Sequence, residues 1–118
     1  MSYVDGFVLA VPTENKDAYV KMAADVWSLF QKHGALHMAE CWGEDVPDGK
    51  VTDFKRAVQA TPEETVVFSW IVWPSKPVRD AAHQAMWQDQ NMKPENMLFD
   101  GKRMIFGGFN LLLEERAA

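Results

Sequence analysis

The segment Thr65–Trp73 is a nearly continuous run of Val, Phe, Trp and Ile that is interrupted only by Ser69. Successive side chains of a strand point to opposite faces of the sheet, so both faces of this strand are apolar. The segment Tyr3–Val11 has the same property, because apolar residues occupy its odd and its even positions alike. A sheet built from these strands needs a cover on both of its faces.

Two segments carry apolar residues at the three- and four-residue spacing of a helix. The first is Lys16–Lys32, which is followed by Gly34, a residue suited to the left-handed end of a helix, and the second begins after the candidate cap Ser75. The resulting βαββαβ order predicts an α+β, ferredoxin-like fold, in which a four-stranded antiparallel sheet carries both helices on one face. The predicted strands are Tyr3–Val11, Leu36–Glu44, Thr65–Trp73 and Arg103–Glu114. The predicted excursions are Asp45–Gln59, with a short helical stretch at Asp53–Val58, and Asp89–Lys102.

The length of 118 residues accommodates one ferredoxin-like domain, 1–118, and its 47% hydrophobic and 25% charged residues are typical of globular proteins. Because the two helices cover only one face of the sheet, we expect a second copy of the chain to cover the other. The sequence therefore predicts a homodimer formed through the open sheet face. Two further covers stay open: long loops that fold back over the sheet, and a bound apolar ligand, which is compatible with a dimer.

The charge pattern argues against nucleic acid as a partner. Lys and Arg total 12 against 17 Asp and Glu, which gives a net charge of −5, and no basic stripe is present to neutralise phosphates. Met1 is followed directly by Ser-Tyr-Val-Asp rather than by a signal peptide, and no apolar run approaches the roughly 20 residues of a membrane span. We therefore expect no membrane partner and a cytoplasmic location.

The residues that usually hold metals or cofactors are few. Cys41 is the single cysteine, so an intrachain disulfide and a four-thiolate site are excluded, and its apolar surroundings predict a buried core thiol. The three histidines show no metal-binding spacing, and we predict neither a metal nor a cofactor. The pair Gly107-Gly108 lies inside a predicted strand, where it indicates a bulge or a close backbone approach.

The second strand separates a bulky set of side chains from a small set. Met38, Glu40 and Trp42 alternate with Ala39 and Cys41. If the small set receives the helices, the bulky set faces the partner and any cavity between the two sheets. Glu40 is then desolvated, its pKa tends upward, and it is the candidate general base or proton shuttle. The alternative is an interfacial ion pair.

Two further groups of residues are candidate ligand contacts. Asp5 begins the first strand, where its position near the strand end predicts a solvated carboxylate. Trp42 and Trp70, together with Met104 and Phe106, either line an apolar pocket that stacks a flat ligand or fill an interface.

The charged loop and the second helix carry the remaining polar candidates. Asp53 and Arg56 are candidate contacts if their loop folds over the barrel mouth, and otherwise belong to a solvated excursion. Arg79 and His83 are predicted on the outer side of the second helix, with His83 paired to Trp87 at the surface.

Four segments resemble a known bacterial family, the YbaA-like proteins of domain of unknown function 1428. They are Glu40–Lys50, Thr52–Phe54, Phe68–Lys76, which contains Ser-Trp-Ile-Val-Trp-Pro-Ser, and Arg103–Phe109. The likeness runs from Tyr3 to about Glu114. It implies membership of the dimeric α/β barrel superfamily, in which two ferredoxin-like sheets pack face to face. It supplies no established activity, cofactor or catalytic residue.

Two functional hypotheses follow, and no motif decides between an enzyme and a binding module. The first is a homodimeric, cofactor-independent barrel that binds a small, partly apolar molecule and carries out modest acid–base or monooxygenase-like oxygen chemistry. The second is a non-catalytic dimeric structural or regulatory module with a filled interior. An enclosed, partly polar void beside Glu40 favours the first. Some relatives carry a label that refers to signal-recognition-particle RNA, which the charge balance here does not support.

Overall fold

The computed structural model describes residues 2–86 and 98–117. Its strands are β1 (Tyr3–Pro12), β2 (His37–Trp42), β3 (Glu64–Trp73) and β4 (Ile105–Asn110). Its helices are α1 (Lys16–Lys32), the short α2 (Phe54–Ala57) and α3 (Lys76–Met86), and a 3-10 turn, Thr13–Asn15, joins β1 to α1. The predicted α+β order is confirmed. The strands β2 and β4 are shorter than predicted, and most of the predicted excursion Asp89–Lys102 lies outside the described residues.

The four strands form one antiparallel sheet in the order β2-β3-β1-β4. The strand β1 therefore lies inside the sheet, between β3 and β4. In its register Asp5 lies opposite Ile71 of β3 and opposite Gly108 of β4. Since directly opposite residues share a face, this register assigns every strand residue to one side of the sheet.

One side of the sheet, which we call the helix face, packs against α1 and α3. It carries the odd-numbered residues of β1 and β3, and two buried clusters lie between it and the helices. Trp73 packs with Phe30 of α1 and Ala82 of α3 in the first cluster, and Leu9 packs with Tyr19 of α1 in the second. Both long helices are thus on one face, as predicted.

The other side of the sheet, which we call the open face, is apolar and only partly covered. It carries Val4, Gly6, Val8 and Ala10 of β1, Val66, Phe68, Trp70 and Val72 of β3, His37, Ala39 and Cys41 of β2, and Ile105, Gly107 and Phe109 of β4. The loop after β2 folds over one end of it, where Val58 is buried against Ala10 and Val66. Beyond that end, Phe68 is 45% exposed and Phe109 is 60% exposed.

The structure corrects the predicted orientation of β2. Met38, Glu40 and Trp42 lie on the helix face, opposite residues of β3 that pack beneath α1, and the small side of the strand lies on the open face. The reason is volume: the space between the sheet and α1 needs large side chains, and Trp42 and Met38 supply them. Cys41 is accordingly exposed on the open face rather than buried in the core.

The helix α1 ends where the sequence predicted, at Lys32. Gly34 comes directly after the C-cap residue His33 and has a φ of 105°, in the left-handed region that side chains rarely adopt. Among residues 2–86 and 98–117, no helix is long and apolar enough to cross a membrane.

Candidate functional site

The most unusual polar group on the helix face is the carboxylate of Asp5. It is 2% exposed, which contradicts the predicted solvation, and it accepts hydrogen bonds from three side chains. Oδ2 lies 2.9 Å from both Trp73 Nε1 and His83 Nε2, and Oδ1 lies 2.9 Å from both Nε and Nη2 of Arg79. A carboxylate buried in this way needs such partners, because an isolated buried charge is costly.

These partners keep the carboxylate ionised. Burial by itself raises the pKa of Asp5, but the hydrogen bonds from His83 and Arg79 and the positive charge of Arg79 outweigh it and lower the pKa below its ordinary value. Arg79 in turn is held in place by Asp80 through an Nη1–Oδ1 contact of 2.9 Å and by the ring of Tyr3, whose centroid lies 5.2 Å from the guanidinium carbon. We call Asp5, Trp73, Arg79 and His83 the Asp5 cluster.

The backbone of β4 closes the Asp5 cluster from the side. A Cβ added at Gly108 would lie 2.5 Å from Oη of Tyr3 and 2.8 Å from Nη2 of Arg79. Only glycine therefore lets β4 approach this closely. The close backbone approach predicted for Gly107-Gly108 is confirmed at the second glycine.

Sequence reasoning missed the roles of Arg79 and His83, which were predicted on the outer side of the second long helix. In the structure this helix is α3. They lie four residues apart and hence on one helical stripe, which turns toward Asp5. The signal that was available is the combination of a lone carboxylate in an apolar strand with two basic residues at this spacing. Trp87, the predicted partner of His83, lies outside the described residues.

Glu40, whose side chain is only partly covered in the edge strand β2, forms a second polar pair on the helix face with the buried Tyr19. Its Oε1 accepts a 2.7 Å hydrogen bond from the hydroxyl of Tyr19 in α1. Burial raises the pKa of Glu40, although hydrogen bonds from Tyr19 and Ser69 act against the rise, and burial together with the Glu40 charge raises the pKa of Tyr19. The predicted upward shift is thus present, but it arises beneath α1 and not between two sheets.

The aromatic candidates do not converge on one pocket. Trp42 lies on the helix face, where the cation of Lys16 sits 5.6 Å from the centroid of its ring, whereas Trp70 lies on the open face. Met104 packs against the buried cluster around Leu9, and Phe106 stacks on Phe7 of the helix face. The predicted pocket formed by both tryptophans is therefore wrong, because the sheet itself separates them.

Trp70 contributes instead to a groove at the end of the open face that the loop leaves uncovered. The groove has a volume of about 520 Å³, and the ring of His37 stacks on Trp70 with centroids 6.4 Å apart. It is lined by Ser2, Leu36, His37, Trp70, Val72, Glu114 and Arg116. An apolar floor with charged residues at one side suits a molecule that has an apolar body and one polar end.

Asp53 and Arg56 hold their own loop together. Asp53 caps α2 by accepting hydrogen bonds from the backbone N–H of Arg56 at 2.7 Å and of Gly49 at 3.0 Å, and these bonds lower its pKa. The guanidinium of Arg56 donates to the carbonyl oxygens of Gly49, Lys50 and Val51. The polar atoms of both side chains therefore form hydrogen bonds within their own loop, which covers one end of the open face.

The same sequence pattern occurs in known proteins over almost its full length. The family described as "Protein of unknown function (DUF1428)" matches residues 2–101. The chain belongs to this family. The "Uncharacterized protein YbaA" of Escherichia coli strain K12 is 61% identical over 117 residues, which span 98% of this chain and the whole of that protein, and the protein of the same name from Shigella flexneri is equally similar.

Solved structures with a similar fold differ widely in sequence from this DUF1428 protein. A dimeric ferredoxin-like protein from an uncultured marine organism aligns with a TM-score of 0.58 and 11% identity, over 99% of this chain and all of that one. A second dimeric ferredoxin-like protein from an uncultured marine organism aligns with a TM-score of 0.55 and 10% identity, over 98% and 99% of the two chains. At such low identity the likeness establishes the ferredoxin-like fold.

Proposed function

We propose that this DUF1428 protein is a homodimer, formed through its open face, that binds a small, partly apolar molecule in the groove beside Trp70. The observation that carries the proposal is the open face itself. Between the pairs Val4–Val72 and Ala10–Val66, its strand residues include no Asp, Glu, Lys or Arg. Two copies can therefore meet there without repulsion between like charges, and apolar surface is removed from water.

Exposed aromatic and aliphatic side chains mark the part of the open face that a second copy would cover. Phe68 and Ile105 lie in one cross-strand row, and Phe109 lies over the backbone of the neighbouring glycines Gly6 and Gly107. Two solved proteins of similar fold are described as dimeric, which supports a dimer for this chain. In such a dimer the groove lies at the edge of the contact, where the second copy would deepen it.

The dimer is tested by light scattering at micromolar concentration with a matched pair of variants on β4. Phe109→Glu places a charge on the open face, and Phe106→Glu places the same charge on an equally exposed phenylalanine of the helix face. We expect Phe109→Glu to yield a monomer of about half the wild-type mass and Phe106→Glu to remain dimeric. A wild-type monomer of 13.4 kDa would refute the proposal.

The ligand is tested by native mass spectrometry of protein isolated from cells, followed by thermal-shift measurements with a metabolite panel. We expect a retained small molecule, and we expect Trp70→Leu to weaken its retention while Trp42→Leu, on the opposite face, does not. If the wild-type protein retains nothing and no compound shifts its unfolding, the ligand part of the proposal fails while the dimer stands.

One observation favours a non-catalytic module with a filled interior as the second candidate. Phe54 and Val58 already fill one end of the open face, with the ring of Phe54 set edge-on to Phe68 at 6.1 Å. If a dimer structure shows the groove closed by side chains of the second copy, this candidate replaces the first.

A further inference from the structure

The Asp5 cluster fixes which nitrogen of His83 carries the proton. An ionised carboxylate only accepts hydrogen bonds, so Nε2 of His83, 2.9 Å from Oδ2 of Asp5, is the protonated nitrogen. The nitrogen that gains and loses a proton is then Nδ1. The ring of Trp73 lies edge-on to the imidazole at 6.1 Å and limits its rotation. The hydrogen-bond network thus sets both the tautomer and the orientation of His83.

His83 connects this buried network to solvent. Its side chain is 29% exposed, whereas Asp5 is almost completely buried and Arg79 is 16% exposed. Part of the imidazole is therefore open to solvent while Nε2 stays fixed on Asp5. A histidine whose N–H is held by a buried carboxylate is the arrangement that orients a general base and stabilises the imidazolium formed on proton transfer.

We propose that His83 is a general acid–base residue, positioned by Asp5, that exchanges a proton with a small molecule bearing a weakly acidic C–H or O–H group. In the forward step the proton moves from the substrate to Nδ1, and the electron pair of the broken bond stays on the substrate as an anion. The imidazolium keeps its Nε2–H bond to Asp5, whose negative charge balances it. No oxidant or cofactor takes part in this step.

The groups around Asp5 and His83 favour His83 as the residue that exchanges the proton and Asp5 as the residue that positions it. The charged and titratable groups described around it are Asp5 and Tyr3 of β1 and Arg79 and Asp80 of α3. Arg79 binds Oδ1 of Asp5 and leaves Oδ2 to Trp73 and His83. The low pKa of Asp5 agrees with a carboxylate that stays ionised while His83 changes its protonation state.

This site is separate from the dimer and ligand groove proposed above. The Asp5 cluster lies on the helix face, and the groove and the exposed aromatic side chains lie on the open face. A second copy bound to the open face therefore leaves His83 accessible. The two proposals fail independently, since a monomeric protein can still carry out proton transfer and a dimer can lack it.

The probe for proton transfer is nitrobenzisoxazole, whose ring opens to a coloured cyanonitrophenolate. A base removes its C–H proton, the N–O bond breaks, and the electron pair of that bond remains on oxygen. With the intact protein we expect ring opening above the buffer rate. His83→Gln, which retains an N–H donor toward Asp5, is expected to lower the protein-dependent rate by about a hundredfold, the low end of general acid–base contributions. His33→Gln, at the end of α1, should leave the rate unchanged.

A measurement on the unmodified protein tests the proposal without any variant. Nitrogen NMR of the imidazoles reports which ring nitrogen of His83 is protonated in the neutral form. We expect the proton on Nε2. A proton on Nδ1, or an unchanged ring-opening rate in His83→Gln, would overturn the proposal.

Discussion

Trp73 Nε1 donates a 2.9 Å hydrogen bond to Oδ2 of Asp5, and both side chains are almost completely buried. The same oxygen also accepts a hydrogen bond from Nε2 of His83, so a single atom of β1 connects β3 to α3. The arrangement stabilises the fold only while all its members are present, because loss of one partner leaves a buried polar group without a hydrogen bond.

Asp5→Asn is expected to lower the free energy of unfolding by about 3–5 kcal/mol, the usual cost of removing one partner of a buried ion pair. The amide cannot accept from Trp73, His83 and Arg79 together, and Arg79 loses its counter-charge. Urea unfolding measures the change. The matched control is Asp48→Asn, whose exposed ion pair with Lys55 should contribute less than about 1 kcal/mol. Equal losses in the two variants would contradict the prediction.

Gly108→Ala is expected to destabilise the protein by about 1–3 kcal/mol, the range found for overpacked sites. The added methyl group would meet Tyr3 and Arg79 at distances that no relaxed structure allows. Gly101→Ala is the control, because nothing lies within 4 Å of a Cβ at that position. Thermal unfolding of both variants checks the prediction, which fails if Gly108→Ala behaves like Gly101→Ala.

Glu40→Gln is expected to raise the unfolding midpoint at pH 7. The pKa of Glu40 is raised in the folded protein, so the folded state binds its proton more tightly than the unfolded state does. The stability that this provides is present at low pH and is lost as the pH rises above the ordinary value of 4.5. Glutamine removes this loss and still accepts the hydrogen bond from Tyr19.

The measurement for Glu40 is the unfolding midpoint between pH 4 and pH 8 for the wild type and the variant. Their difference should grow in favour of Glu40→Gln as the pH rises. Glu44→Gln, an exposed change four residues further along and outside β2, should follow the wild-type curve. A difference that shrinks with rising pH would show that Glu40 is stabilised as the anion.

Glu64→Gln is expected to make the free energy of unfolding fall less steeply as the pH drops below 4.5. Two parallel hydrogen bonds from Arg103, at 2.8 and 2.6 Å, lower the pKa of Glu64 from 4.5 to about 2. Stability from this pair is present above pH 4.5 and is lost as the pH falls toward 2. Acid unfolding followed by circular dichroism checks this, with the exposed Glu63→Gln as control. The prediction fails if the stability of Glu64→Gln falls as steeply with acid as that of the wild type.

The fold could be predicted because its signals are local. The apolar spacing of Lys16–Lys32 and the glycine after it gave the bounds of α1, and β1 and β3 were found from their runs of apolar, β-branched and aromatic residues. The orientation of β2 could not be predicted in this way. Alternation shows that Met38, Glu40 and Trp42 share a face, but which face meets the helices depends on the volume left beneath α1.

The Asp5 cluster escaped prediction for a related reason. Asp5 and His83 are 78 residues apart in sequence, and only the register of β1 with β3 and the position of α3 bring them together. Near the end of a strand a carboxylate usually reaches water. Here Trp73 and Arg79 lie over it, which no periodicity in the sequence reveals.

The place of β1 inside the sheet has a consequence for how the chain folds. Tyr3 lies opposite Trp73 on one side and opposite Asn110 on the other, so every pairing of β1 closes a loop of more than fifty residues. Proteins dominated by such distant pairings fold slowly, in roughly milliseconds to seconds, because loop entropy is lost before the contacts form. The first strand of the chain is therefore expected to join the sheet late, and its arrival is the step that brings Asp5 to the histidine and arginine of α3.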